Sequence, residues 1–164
     1  MRYNVFSSGL NKPDKNKLQE ELLSRVINPE TAGKERKQLS RGVVLALREL
    51  MSQTETNATT RDLAAFIALA LSAINETIDG SVSAWEKRGY WIKADRFRME
   101  WMWSENLGKK MEQALLAEDW ASVAATAVQI GEKLNSVKLP QRHHLGTPWT
   151  GAYEKLKESQ SVRS

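Results

Sequence analysis

An apolar stretch near the middle of the chain constrains the fold more than any other feature. Residues 63–74 are twelve in number, and Ser72 is the only polar one among them. In a helix this stretch would be apolar on nearly every side, so neighbouring elements must cover it. A membrane-spanning helix needs about 20 such residues. The stretch therefore predicts a central, buried core helix, and we expect no membrane association.

The rest of the chain carries the apolar spacing of amphipathic helices. Glycines and prolines are few, nine and four in 164 residues, and they stand where helices would end. Leu39, Val43, Ala46, Leu47 and Leu50 share one face at 100° per residue, as in a helix with a single buried side. We predict helices at residues 14–28, 34–53, 59–80, 81–117 and 119–139, a short one at 150–158, and residues 3–6 as the leading candidate for a strand.

Side-chain caps support two of the predicted helix starts. Thr59 with Asp62 three residues later resembles a capping box, and Asp119 can accept the free N–H groups of the helix that follows it. Short connections between long helices favour antiparallel neighbours. The sequence therefore predicts an all-α, four- or five-helix bundle with a central apolar helix and an irregular C-terminal tail. We expect one helical domain at residues 1–140 and the tail at residues 141–164.

Residue types that carry chemistry are scarce. The chain has no cysteine, which excludes disulfides, cysteine-based zinc sites, iron–sulfur clusters and a cysteine nucleophile. No phosphate loop, dinucleotide fingerprint or nucleophile elbow is present. His143 and His144 lack nearby ligand residues in sequence, and Asp95 is the best candidate for acid–base work. We predict no cofactor and no metal, and the N-terminus, which lacks an apolar leader stretch, favours a cytoplasmic location.

The segment from residue 85 to residue 103 is unusually rich in large apolar side chains. On a helical wheel these side chains occupy three faces, so a single neighbouring helix cannot cover them all. Aromatic residues and Met are enriched at protein interfaces, although most apolar stripes are simply core. The predicted partner-binding residues are Trp85, Tyr90, Trp91, Phe97, Trp101, Met102 and Trp103.

A basic stripe on the predicted helix at 34–53 offers an alternative. Lys34, Lys37, Arg41 and Arg48 project to one side over about 21 Å, at a rise of 1.5 Å per residue. The net charge is +4, and residues 1–53 hold ten basic and six acidic side chains. Such a row could meet phosphates of a nucleic acid, although a charged face of this kind is usually only solvated.

Three classes of function follow from these patterns. The first is a small non-enzymatic helical protein that associates with itself or with another protein through the aromatic segment. The second is a nucleic-acid-associated module, such as a small subunit of a ribonucleoprotein, which would use the basic stripe. The third is an enzyme with scattered polar residues on a helical scaffold, because a fold does not decide a function.

Overall fold

The structure is a computed structural model that describes residues 29–163. Within this range the chain forms helices and no strand. The helices are α1 (Pro29–Ser52), α2 (Ala58–Lys87), α3 (Trp91–Leu116), α4 (Trp120–Lys133) and α5 (Ala152–Arg163). The all-α bundle predicted from the sequence is confirmed. The predicted helix at 14–28 and the candidate strand at 3–6 lie outside the described residues.

Two helix starts are fixed by side-chain caps. Asn57 accepts a hydrogen bond from the backbone N–H of Thr60, and the hydroxyl of Thr60 accepts one from the backbone N–H of Asn57. The predicted cap at Thr59 with Asp62 is therefore wrong, since the capping residue lies two positions earlier. Asp119 caps α4 as predicted, with its carboxylate accepting from the backbone N–H of Ser122.

The break between the second and third helices lies at Gly89 instead of Gly80. Gly80 is buried inside α2, which continues to Lys87, so the predicted boundaries at 80 and 81 are wrong. Gly89 has φ +81°, a left-handed conformation that glycine adopts without steric cost. This turn, which includes Tyr90, separates Trp85 on α2 from Trp91, Phe97, Trp101 and Trp103 on α3. The helical wheel that placed them on one continuous helix therefore does not hold.

The apolar helix α2 lies at the centre of the bundle, as predicted. It packs against α1, α3 and α5, whereas α4 packs on α3 and touches α1. Leu63, Ile67, Leu71 and Ile74 of α2 are fully buried. Each buried side chain of this size contributes about 1.5–3 kcal/mol relative to exposure. Burial of the apolar stretch thus holds the other helices together.

The C-terminal region is irregular from residue 134 to residue 151 and then helical. Trp149, Ala152 and Leu156 are buried and join the core, and α5 lies against α2. The helix predicted at 150–158 exists and extends to Arg163. The division of the chain at residue 140 stays a prediction.

By length and composition α2 could cross a membrane, and it is the one described helix of which this is true. The bundle buries 61% of the most apolar 18 residues of α2, and core helices of soluble proteins can have the same length and composition. The length and composition of α2 are therefore weak evidence, and the expectation of no membrane association stays untested.

Candidate functional site

One side of α3 exposes large apolar side chains. Trp91, Ile92, Met99 and Met102 are 60%, 71%, 73% and 53% exposed. At 100° per residue they lie within a sector of about 100°, over about 16 Å of helix. We call these four residues the α3 stripe. Ile92 and Met99 are seven residues apart and Met102 follows three later, which is the spacing of a coiled-coil seam.

A row of half-buried rings lies beside the stripe. Trp85 meets Phe97 edge to face with ring centroids 4.9 Å apart, and Phe97 is 6.5 Å from Trp101. Trp101 in turn stacks on Trp103 at 5.7 Å. Aromatic pairs in such arrangements contribute about 0.5–1.5 kcal/mol beyond the area they bury. These four rings therefore hold the connection between α2 and α3 in place.

The predicted partner-binding set thus divides into two groups. Tyr90, Trp91 and Met102 are exposed, whereas the other four members form the half-buried row of rings. Ile92 and Met99 are more exposed than Tyr90, but they were not in the predicted set. A helical wheel places Ile92 and Met99 on one face, but it does not show whether that face is covered. That these residues bind a partner stays a prediction.

An open groove lies at the N-terminal end of α3, where Trp91 and Ile92 of the stripe line it. It has a volume of about 680 Å³, and Trp85, Tyr90 and Phe97 form much of its apolar wall. Lys93 lies with its Nζ 4.6 Å from the centroid of the Trp85 ring, a cation–π contact at the edge of the groove. The stripe and the groove therefore overlap at the N-terminal end of α3.

The charges around the stripe are of both signs. Arg98 donates to Glu86 at 2.8 Å and to Asp95 at 2.9 Å, and these two carboxylates raise the pKa of Arg98. Arg96 and Glu100 are exposed on the groove side. They form no salt bridge with each other, although they are four residues apart on the helix.

The fold brings only two of the four residues of the basic stripe to the same cleft. Lys34, Lys37 and Arg48 are exposed and Arg41 is half-buried. Lys37 and Arg41 line a cleft of about 460 Å³ between α1, α3 and the segment after α4, whereas Lys34 and Arg48 do not. The same cleft contains Arg36, Ser40 and Lys138, which sequence reasoning did not single out. Lys138 is remote in sequence, so no pattern could have placed it there.

The remaining candidate groups show no convergence toward a reaction centre. Asp95 is exposed and paired with Arg98 instead of facing a polar cleft. The Nδ1 of His143 accepts from the backbone N–H of Leu145, and no three metal-ligating side chains cluster within residues 31–163. Comparison of the chain with family models, curated proteins and solved structures found no match.

Proposed function

We propose that this chain is a non-enzymatic association protein that pairs with a second copy of itself through the α3 stripe. The observation that carries the proposal is the exposure of four large apolar side chains on one side of one helix. A large exposed apolar patch on a soluble domain is typical of an interaction site. Three of the four residues follow the seam spacing that a second helix would need, and Asp95, at the remaining position of that seam, is paired with Arg98.

The shape of the surface favours a second copy as the occupant. In a twofold interface the same patch serves both molecules, so projections and recesses must lie side by side on it. Met99 and Met102 of the α3 stripe lie outside the groove, whereas Trp91 and Ile92 line it together with Trp85, Tyr90 and Phe97. An antiparallel second copy can therefore place part of its own stripe over this groove.

The charges at the edge of the stripe are compatible with the same arrangement. Arg96 and Glu100 are one helical turn apart on the groove side of α3. When two copies of α3 run in opposite directions, Arg96 of one copy comes near Glu100 of the other. Exposed pairs of this kind contribute little energy but favour one register. Because the stripe is short, we expect a weak, concentration-dependent dimer.

Sedimentation equilibrium of the full chain over a range of concentrations tests the proposal. The wild type should show a dimer that dissociates on dilution. M99E/M102E should be a monomer, since two charges would be buried without partners at the seam. Circular dichroism should show unchanged helix content, because both side chains are exposed.

A matched control variant introduces two glutamates at exposed apolar positions outside the α3 stripe. Met51 and Val128 are 75% and 55% exposed and lie on α1 and α4, away from the stripe. M51E/V128E should dimerise like the wild type. A wild type that stays monomeric at every concentration would refute self-association, as would a control variant that dissociates as fully as M99E/M102E.

A further inference from the structure

The cleft between α1 and α3 is lined by several positively charged side chains. Arg36, Lys37, Arg41 and Lys138 all line it. Within residues 29–163, none of the four takes part in a salt bridge. Arg61 and Arg98 are paired with carboxylates, whereas Arg48 and Lys133 also form no salt bridge among these residues. The cleft is therefore distinguished by the convergence of four cations on one recess.

Arg36 is held in a fixed position within this lining. Its guanidinium lies 4.6 Å from the ring centroid of Phe97 and 5.7 Å from that of Trp101. One nitrogen donates to the hydroxyl of Thr77 at 3.1 Å, and the other donors of the guanidinium make no hydrogen bond to the described residues. Half-burial lowers the pKa of Arg36, an effect that the nearby Glu100 charge partly offsets. A preorganised cation of this kind is suited to an oxyanion.

Ser40 adds a buried hydroxyl to the same wall. Its side chain is only 3% exposed, and its Oγ has no hydrogen-bond partner among the described residues. Buried hydroxyls are normally satisfied, so an unpartnered one calls for an explanation. A hydroxyl can donate to an anion that enters beside it.

We propose that this cleft binds a small molecule that carries a phosphate group. Four cations around one recess suit a doubly charged anion, and Arg and Lys are the side chains that commonly bind phosphate. The volume of about 460 Å³ lies within the range of small-molecule sites. Trp101 supplies an apolar wall for the remainder of the ligand. A nucleic acid strand fits less well, because Lys34 and Arg48 lie outside the recess.

Isothermal titration calorimetry on the full chain tests the site. The probes are inorganic phosphate, pyrophosphate, adenosine 5′-monophosphate, adenosine and a short single-stranded oligonucleotide, all at low salt. Phosphate-bearing probes should bind and adenosine should not. Tighter binding of the monophosphate than of inorganic phosphate would identify an organic phosphate as the source, and the reverse would identify the free anion. Phosphate monoesters lose their second proton near pH of about 6, so their binding should strengthen as the pH rises toward 7.

Two charge-matched variants locate the binding. K37Q/R41Q/K138Q removes three cations of the cleft, and R48Q/K133Q/K155Q removes three exposed cations outside it. The first should weaken binding by about tenfold or more, because charge-assisted hydrogen bonds are lost. The second should change it by no more than about twofold, through screening alone.

Three results would overturn the proposal. The first is that the wild type binds no phosphate-bearing probe. The second is that both variants lose the same affinity for these probes. The third is that the wild type binds the oligonucleotide but not the monophosphate. The two variants leave the α3 stripe intact, so the test is independent of self-association.

Discussion

The carboxylate of Asp62, near the start of α2, accepts a hydrogen bond of 3.0 Å from the backbone N–H of Tyr153 in α5. Its other oxygen accepts one of 3.2 Å from the N–H of Gly151. The first N–H groups of a helix lack partners within that helix, and the N-terminus carries a partial positive charge. Asp62 therefore caps a helix that begins about 90 residues later in the chain.

Removal of this long-range cap should destabilise the fold. We expect D62A to lower the free energy of unfolding by about 1 kcal/mol, the usual cost of a lost N-cap. Urea denaturation measures the change. Asp79 is an exposed residue of the same helix, so D79A should stay within about 0.5 kcal/mol of the wild type. Equal effects of the two variants would contradict the capping role.

The contact between Arg36 and Thr77 should contribute to stability, because it joins α1 to α2. A double-mutant cycle of R36A and T77V should give a coupling energy of about 0.5–1.5 kcal/mol, from unfolding experiments. T77S, which keeps the hydroxyl, should retain most of the coupling. Strictly additive effects of R36A and T77V would show that the hydrogen bond contributes nothing.

Two glycines should respond to alanine in opposite directions. Gly89 has φ +81°, so G89A should cost about 1 kcal/mol through backbone strain, although nothing occupies the space around it. Gly131 lies inside α4 with open space around it, so G131A should stabilise the protein by up to about 1 kcal/mol. Thermal or urea unfolding compares the two. A neutral or stabilising G89A would contradict the strain at the turn, and a destabilising G131A would contradict the gain in helix propensity.

The cap of α4 should make stability depend on acid. Hydrogen bonds from the hydroxyl and backbone N–H of Ser122 lower the pKa of Asp119 below its ordinary value of 3.8. The stabilisation is therefore present above pH 3.8 and is lost as the pH falls through the lowered pKa. Asn at position 119 can still cap the helix but cannot titrate. The difference in the free energy of unfolding between D119N and the wild type should therefore shrink in acid. Urea midpoints at neutral and low pH measure this, and a deficit that grows in acid would contradict it.

The nucleic-acid alternative remains testable through its four residues. If Lys34, Lys37, Arg41 and Arg48 act as one row, K34E/R48E and K37E/R41E should each reduce retention on single-stranded nucleic acid at low salt. Loss through K37E/R41E alone would point to the cleft. No retention of the wild type would remove this alternative.

The sequence predicts the class of fold because this class depends on the spacing of apolar residues that are close together along the chain. The apolar stretch at 63–74 predicted a central helix, and Asp119 predicted the start of α4, since both signals lie within a few residues of their effects. The end of α2 was predicted wrongly, because Gly80 and Gly89 look alike in sequence. Buried packing keeps the helix intact at Gly80, and Gly89 has no such cover.

The candidate sites depended on tertiary structure to a larger degree. The sequence alone established a cysteine-free chain of amphipathic helices around one apolar helix and marked residues 85–103 as unusual. Only packing decided which of those rings are covered, and only the fold placed Lys138 next to Arg36 and Ser40. The physical reason is one of range. Helix formation and capping are set by neighbours along the chain, whereas exposure and a cleft are set by elements far apart in sequence that meet in space.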